Sequence, residues 1–500
     1  MDPYKRFKPI RNRIRKYKPR SIIDRCVGLL HDANLFASGR VRSYQPWTLL
    51  LMIKWSFLYG EPDDRSKLPV TDNDFNRMIN DANDLFGAVR MPHQYDTFDL
   101  FFKNIAHQQF LFQRAPNTAL IGRQKLLFTS PETPEMISRA FETVHSLSLD
   151  EYLEFAFMVL ARFISERGPM FPRQFFSTVE QRCRAGAVDT FLSLISADYV
   201  TIKQRLIEED KRFSNFEFTL YEQTPLKKYP LLRIGDRFLC YSPHVLYLNF
   251  ETFVYDSLKA WNAEQFSEAF GPVLEKYVER GLKRTQSRYY AERDLKQLLG
   301  AGRVTDFLLP DADGNVLVEV KAVEMSELGR VSPDARVVAN SLKTSVIKGI
   351  EQVLSTAKRL EELPNGNRIS SPAPWFALVV TYKDLYLHTA EQLLVGTARA
   401  EMERFMRDKS VPSDSLPFSH IYIISIDEFD RMTHLLETHQ ARLPDIMRRA
   451  VADDGQPREA RFAFWQHLYK HGDARPPREI EAGFDEIAER AKQKLREHAD

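Results

Sequence analysis

Asp306, Glu319 and Lys321 are the residues of this chain whose types and spacing best suit chemistry. They lie between Gly302 and Ala322, where two runs dense in Val, Leu and Phe flank Pro310 to Asn315, a cluster of turn formers. That pattern predicts a β-hairpin. With a four-residue connection from Asp311 to Gly314, and Pro310 opposite Asn315, counting back along both strands sets Asp306 across from Glu319. Directly opposed residues point to one face with Cβ atoms about 4.5–5.5 Å apart. Lys321, two residues past Glu319, joins that face by alternation. Two carboxylates so placed can share one Mg²⁺, a hard cation that keeps positions open for water and a phosphate oxygen. A lysine beside them can orient the attacking water and offset charge building on the phosphate. The expected chemistry is phosphodiester hydrolysis, with Mg²⁺ as cofactor and Mn²⁺ able to substitute.

Charged residues on a strand are more often the solvated face of an antiparallel sheet. Against that reading, Val316, Val318 and Val320 share one face while Leu308 and Leu317 stand on the other, so the strands are apolar on both sides. Such strands run centrally in a sheet, where charges are costly unless they bind a metal or one another.

The elements that must position these residues follow from periodicity. Phe266, Phe270, Val273, Leu274, Tyr277 and Val278 mark a helix before the hairpin; Leu342, Val346, Ile347, Ile350, Val353, Leu354 and Ala357 mark one after it. The runs Trp375–Thr381 and Ile421–Ile426 read as further strands, giving a mixed sheet flanked by helices.

On these residues the chain resembles the PD-(D/E)xK, or restriction-endonuclease-like, nuclease superfamily over about residues 264 to 390: a helix, a strand with Asp306, then Val318-Glu319-Val320-Lys321, then helix and strand. No proline precedes Asp306, a departure from the motif's name and not from its chemistry. The resemblance implies a further acidic residue on the preceding helix, matched by Glu275; periodicity alone does not separate Glu275 from Glu268 and Glu279. Asp306, Glu319 and Glu275 would then be the metal ligands. It also implies a polar contact from the following helix, matched by Lys348 and Gln352. A metal-dependent nuclease acting on DNA is the implied activity, with prokaryotic restriction of foreign DNA, antiviral defence or repair as its setting by analogy. A homodimer or higher oligomer is compatible, since cutting both strands needs two sites. The alternative is a nuclease fold without turnover that binds nucleic acid or senses an effector; a third reading closes the hairpin charges into a salt-bridge network.

The rest of the chain bounds these readings. At 500 residues, with 43% apolar and 28% charged side chains, it is long and apolar enough for a multidomain globular protein and too apolar for a disordered one. The net charge of +2 means any affinity for a polyanion must come from local clustering. Residues 1–20 supply it, with nine Lys/Arg against one Asp and with Tyr4, Phe7 and Tyr17 interleaved. Lys5, Arg6, Arg11, Arg13, Arg15 and Lys16 are candidate nucleic-acid contacts on what reads as a basic tail, partly disordered in the plainer view. Residues 21–210 read as a helical domain, 211–255 as a small β-rich linker containing Phe216–Tyr221 as a strand, 256–430 as the nuclease domain, and 431–500 as a helical C-terminal region ending in a surface or interaction helix, Glu479 to His498. No GxxxxGK[S/T], HExxH or GxSxG motif occurs, so ATP-driven translocation or sensing would fall to a separate subunit. Cys26, Cys183 and Cys240 are far apart, which fits neither a disulfide framework nor a cysteine zinc cluster and predicts a reducing, cytoplasmic home. The apolar stretch Trp47–Tyr59 is short and holds Lys54, so it predicts a buried helix and no membrane association.

Overall fold

A computed structural model describes residues 3–32, 35, 39, 43–62, 64, 66–89, 96–113, 120–131, 133–166, 168–213, 215–364, 369–394, 397–412 and 414–496. The chain folds as two units: residues 1–94, 105–263 and 480–500 form the first, and 95–104 with 264–479 form the second. Both are rich in helix, and each carries one small sheet.

The first unit holds a sheet of order β1-β4-β3-β2, formed by β1 (Met170–Pro172), β2 (Ser196–Ala197), β3 (Leu231–Ile234) and β4 (Arg237–Cys240). The sequence signals for β3 and β4 are met, with Gly235 at φ +60° turning the hairpin between them. Phe216–Tyr221 is a correction: it forms a short helix, because the Asn215 side chain accepts the Glu217 amide and starts a turn that strand-like composition conceals. The segment expected as a linker belongs to this unit's sheet and core.

The basic stretch also differs from a tail. Pro3–Ile14 is a helix whose Phe7, Ile10 and Ile14 are fully buried, at the i, i+3, i+7 spacing of an amphipathic helix, with the Phe7 ring 4.7 Å from Trp55. The helix Pro46–Tyr59 is buried nearly all round, and Lys54 within it forms ion pairs with Asp210 and Glu222, as a buried ammonium requires. The last helix, Arg478–Arg496, packs through Ile480, Gly483, Ile487, Ala488 and Ala491. A Cβ on Gly122 would lie 2.1 Å from the Ile480 carbonyl oxygen, so the Leu120–Phe128 helix meets it backbone to backbone. His498 lies outside the described residues.

The second unit is built on a sheet of order β5-β6-β7-β8-β9: β5 (Tyr290–Ala291), β6 (Phe307–Asp311), β7 (Gly314–Lys321), β8 (Trp375–Thr381) and β9 (Ile421–Ser425). The first three strands run antiparallel, whereas β7, β8 and β9 are parallel and connected through helices. Leu308, Leu317, Ala377 and Val379 pack with Ile350, Val353 and Leu354 of the helix Lys348–Glu361, forming the core. Residues 95–104 contribute Leu100 to that core, and the Asn104 side chain donates to the Val331 carbonyl at 2.9 Å. The unit extends to residue 479, past the expected boundary at 430, because the helices Ile426–Glu437, Leu443–Asp454 and Phe464–Leu468 pack on it. No helix among the described residues is long and apolar enough to cross a membrane.

Candidate active site

The β6–β7 hairpin has the predicted register with a tighter turn. Asp311 pairs with Gly314 and Pro310 with Asn315, so the connection is Ala312-Asp313 and not four residues. Arg442 clamps that turn, reaching Asp311 at 2.6 Å and Asp313 at 2.7 Å, while the buried Asn315 side chain donates to the carbonyls of Ser371 and Ala373. At the other end the last ladder pair is Phe307 with Val318, which leaves Asp306 and Glu319 as the next opposed residues.

There the carboxylates meet. Asp306 Oδ2 accepts the Val320 amide at 2.7 Å. Glu319 is wholly buried near the C-terminal end of β7; its Oε1 is ion-paired with Lys321, and its Oε2 makes no well-formed hydrogen bond, with the Thr305 side chain and the Asp306 amide nearby to hold its pKa down in part. Lys321 Nζ also donates to Gln352 Oε1 at 3.3 Å, and the Gln352 amide donates to the Val304 carbonyl at 3.0 Å. Gly349 lies beneath the pair: a Cβ there would stand 3.2 Å from Lys321 Cε and 3.3 Å from Glu319 Cγ. The helix carrying Gly349 and Gln352 is entered through a π-helical turn, Lys343–Ile347.

Electrostatics mark this site as strained. Burial, then the charge of Glu319, pushes the Asp306 carboxyl up to about 8, with Glu275 adding to the rise. Burial likewise raises Glu319, and Lys321 opposes it without cancelling it. Glu275 is raised by burial, then by Glu292 and Glu279. Two carboxyls raised together, with a buried oxygen that makes no well-formed hydrogen bond, form a site short of positive charge. A hard divalent cation would fit that deficit, and Asp306 and Glu319 are the residues that could hold one.

The other predicted residues divide. Gln352 reaches the site through Lys321, whereas Lys348 is exposed beside Glu351. Glu275 is felt by Asp306, but the three carboxylates are not among the groups whose ligand atoms all lie within 4.8 Å. Lys5 and Arg6 on the N-terminal helix, and Arg15 and Lys16 in the turn that follows it, are exposed. Arg13 is engaged by Asp81 at 2.7 Å and Asp74 at 3.7 Å, and Arg11 donates to the Tyr4 hydroxyl at 2.5 Å. A cluster that sequence reasoning missed is His388, Asp454 and His467, whose spacings of 66 and 13 residues match no motif. No family model, no curated protein and no solved structure matches the chain, so the site is read from its own geometry.

Proposed function

We propose that the second unit hydrolyses phosphodiester bonds of nucleic acid, DNA foremost, in the cytoplasm, with Mg²⁺ bound by Asp306 and Glu319. The observation that supports this most is Asp306 opposed to the buried Glu319, one of whose oxygens makes no well-formed hydrogen bond, with Lys321 alongside. The cation, when bound, would supply Lewis acidity and lower the pKa of a coordinated water. The chain's own part is to hold the two carboxylates fixed, through the Val320 amide on Asp306 and Lys321 on Glu319, and to keep the ammonium in place through Gln352. Lys321 can then offset charge on the scissile phosphate.

The test is cleavage of linear, circular and single-stranded substrates with Mg²⁺ or Mn²⁺. Lys321→Ala should lose roughly 10²–10³-fold in turnover while its melting curve stays cooperative; full activity in that variant would refute the assignment. A second reading, a module that binds without cutting, is favoured by one fact: Lys321 is engaged with Glu319. It predicts nucleic-acid binding unchanged by chelator and no turnover on any substrate.

A further inference from the structure

The second unit gathers a different set of metal-type ligands that the proposed reaction does not use. His388 follows β8, Asp454 ends the Leu443–Asp454 helix, and His467 lies in the Phe464–Leu468 helix. Their donor atoms converge. The two Nε2 atoms are 3.3 Å apart, His388 Nε2 is 2.7 Å from Asp454 Oδ2, and His467 Nε2 is 3.1 and 3.2 Å from the two Asp454 oxygens. Among the described residues this is the group of His, Cys, Asp or Glu whose ligand atoms all lie within 4.8 Å of one another.

A tetrahedral Zn²⁺ with bonds of about 2.0–2.1 Å sets neighbouring donors about 3.3–3.4 Å apart. Two imidazoles aimed at it would have ring centres about 5 Å apart by the same geometry. The nitrogens here stand at 3.3 Å and the ring centroids at 5.3 Å. The contacts to Asp454 are shorter, at 3.1 and 3.2 Å from His467 and 2.7 Å from His388, so the carboxylate would move back by about half an ångström from His388 and less from His467.

Proton accounting points the same way at His467 and is neutral at His388, whose Nδ1 has no partner in either tautomer. If both Nε2 atoms carry hydrogens toward Asp454, both Nδ1 atoms become bare acceptors in the core, and neither has a hydrogen-bond partner. With the Nε2 lone pairs turned to a cation, each Nδ1 carries the hydrogen instead. His467 Nδ1 then faces Asp453 Oδ2 at 3.6 Å, a carboxylate itself held by Lys470 at 2.8 Å and Arg449 at 3.0 Å. A second carboxylate behind a ligating histidine fixes its tautomer and orientation. Asp454 is oriented in turn by the Tyr422 hydroxyl at 2.9 Å and the Arg461 amide at 3.0 Å.

We propose that His388, Asp454 and His467 bind one Zn²⁺, with the fourth position left to water, and that the ion ties the segment after β8 to two helices that follow β9. Two imidazoles with one carboxylate favour a borderline transition ion over Mg²⁺, so the site is separate in chemistry as well as residues from the carboxylate pair and stands whether or not that pair cuts DNA.

The experiment uses the full chain, stripped with chelator and confirmed folded by circular dichroism, then given Zn²⁺ alone or Co²⁺ as a spectroscopic probe. One Zn²⁺ per chain should be retained through dialysis, the melting temperature should rise, and Co²⁺ should show the intense visible bands of a tetrahedral site. His388→Gln and His467→Gln should each weaken binding by at least about a hundredfold, and Asp453→Asn, behind the ligand, by roughly ten- to a hundredfold. Asp306→Ala should keep the Zn²⁺, which separates this site from the other. A folded wild-type chain that gives only the pale spectrum of hydrated Co²⁺ and no Zn²⁺ retention would overturn the proposal and leave a closed hydrogen-bonded triad. That outcome needs no variant to fold.

Discussion

Asp306 holds its charge at a cost, and the direction of that cost is measurable. Its folded carboxyl binds a proton more tightly than the unfolded one, so the stability it lends is fully present at low pH. As pH rises from the ordinary carboxyl range toward about 8, that stability is lost. Mg²⁺ held by this pair, as proposed, would need both carboxylates ionised and should therefore bind more tightly over the same interval. Melting curves without metal should fall across this window and recover with Mg²⁺; a flat metal-free series would contradict the burial argument. Asp306→Asn keeps an acceptor for the Val320 amide and removes the charge, so it should melt higher than wild type by on the order of 1 kcal/mol in the absence of metal, while cleavage is abolished. Gln352→Ala should leave folding intact and reduce turnover by roughly ten- to a hundredfold, because it acts through the position of Lys321.

At the scale of elements, the β6–β7 hairpin and the helix beneath it are one device. Gly349 brings the helix within van der Waals reach of the Lys321 and Glu319 side chains. Alanine there gains helix propensity of about 0.5–1 kcal/mol but presses on Lys321 and Glu319 at 3.2–3.3 Å. Gly349→Ala should therefore melt within about 1 kcal/mol of wild type and turn over more slowly; unchanged turnover would show that the helix does not set the site's geometry. The register of this hairpin was readable in the residues because alternation and turn formers count toward the same pairing from both ends, and it survives the change in turn length. The π-helical entry and the close approach at Gly349 were not readable, since both depend on the distance between elements distant in sequence. Phe216–Tyr221 misled for a local reason: aromatic and branched residues promise a strand, while the Asn215 cap decides the helix. Charge likewise drew attention away from Phe7, Ile10 and Ile14, whose helical spacing had the stronger consequence. His388, Asp454 and His467 stayed invisible because nothing but the fold brings them together.

At the scale of the whole chain, each unit borrows from a distant stretch of sequence. A fragment confined to residues 256–430 would lack Leu100, the Asn104 hydrogen bond, most of the Ile426–Glu437 helix and the two helices after it, so it should fail to melt cooperatively, whereas the full chain should. The exposed Lys5, Arg6, Arg15 and Lys16 can be neutralised without touching the buried face of the Pro3–Ile14 helix. If they contact phosphates, the combined Ala variant should bind DNA more weakly with a shallower dependence on salt; an unchanged slope would remove them from the interface.

The helix Arg478–Arg496 meets Gly122 so closely that a methyl group cannot be accommodated, yet the second unit's longest segment lies between them in the chain. On the ribosome this imposes an order. The first unit emerges early and must wait for a helix encoded after residues 264–479, a delay on the order of ten to forty seconds at ordinary synthesis rates. During that interval the surface around Gly122 stays uncovered, so the first unit closes only after the second unit's longest segment has been made.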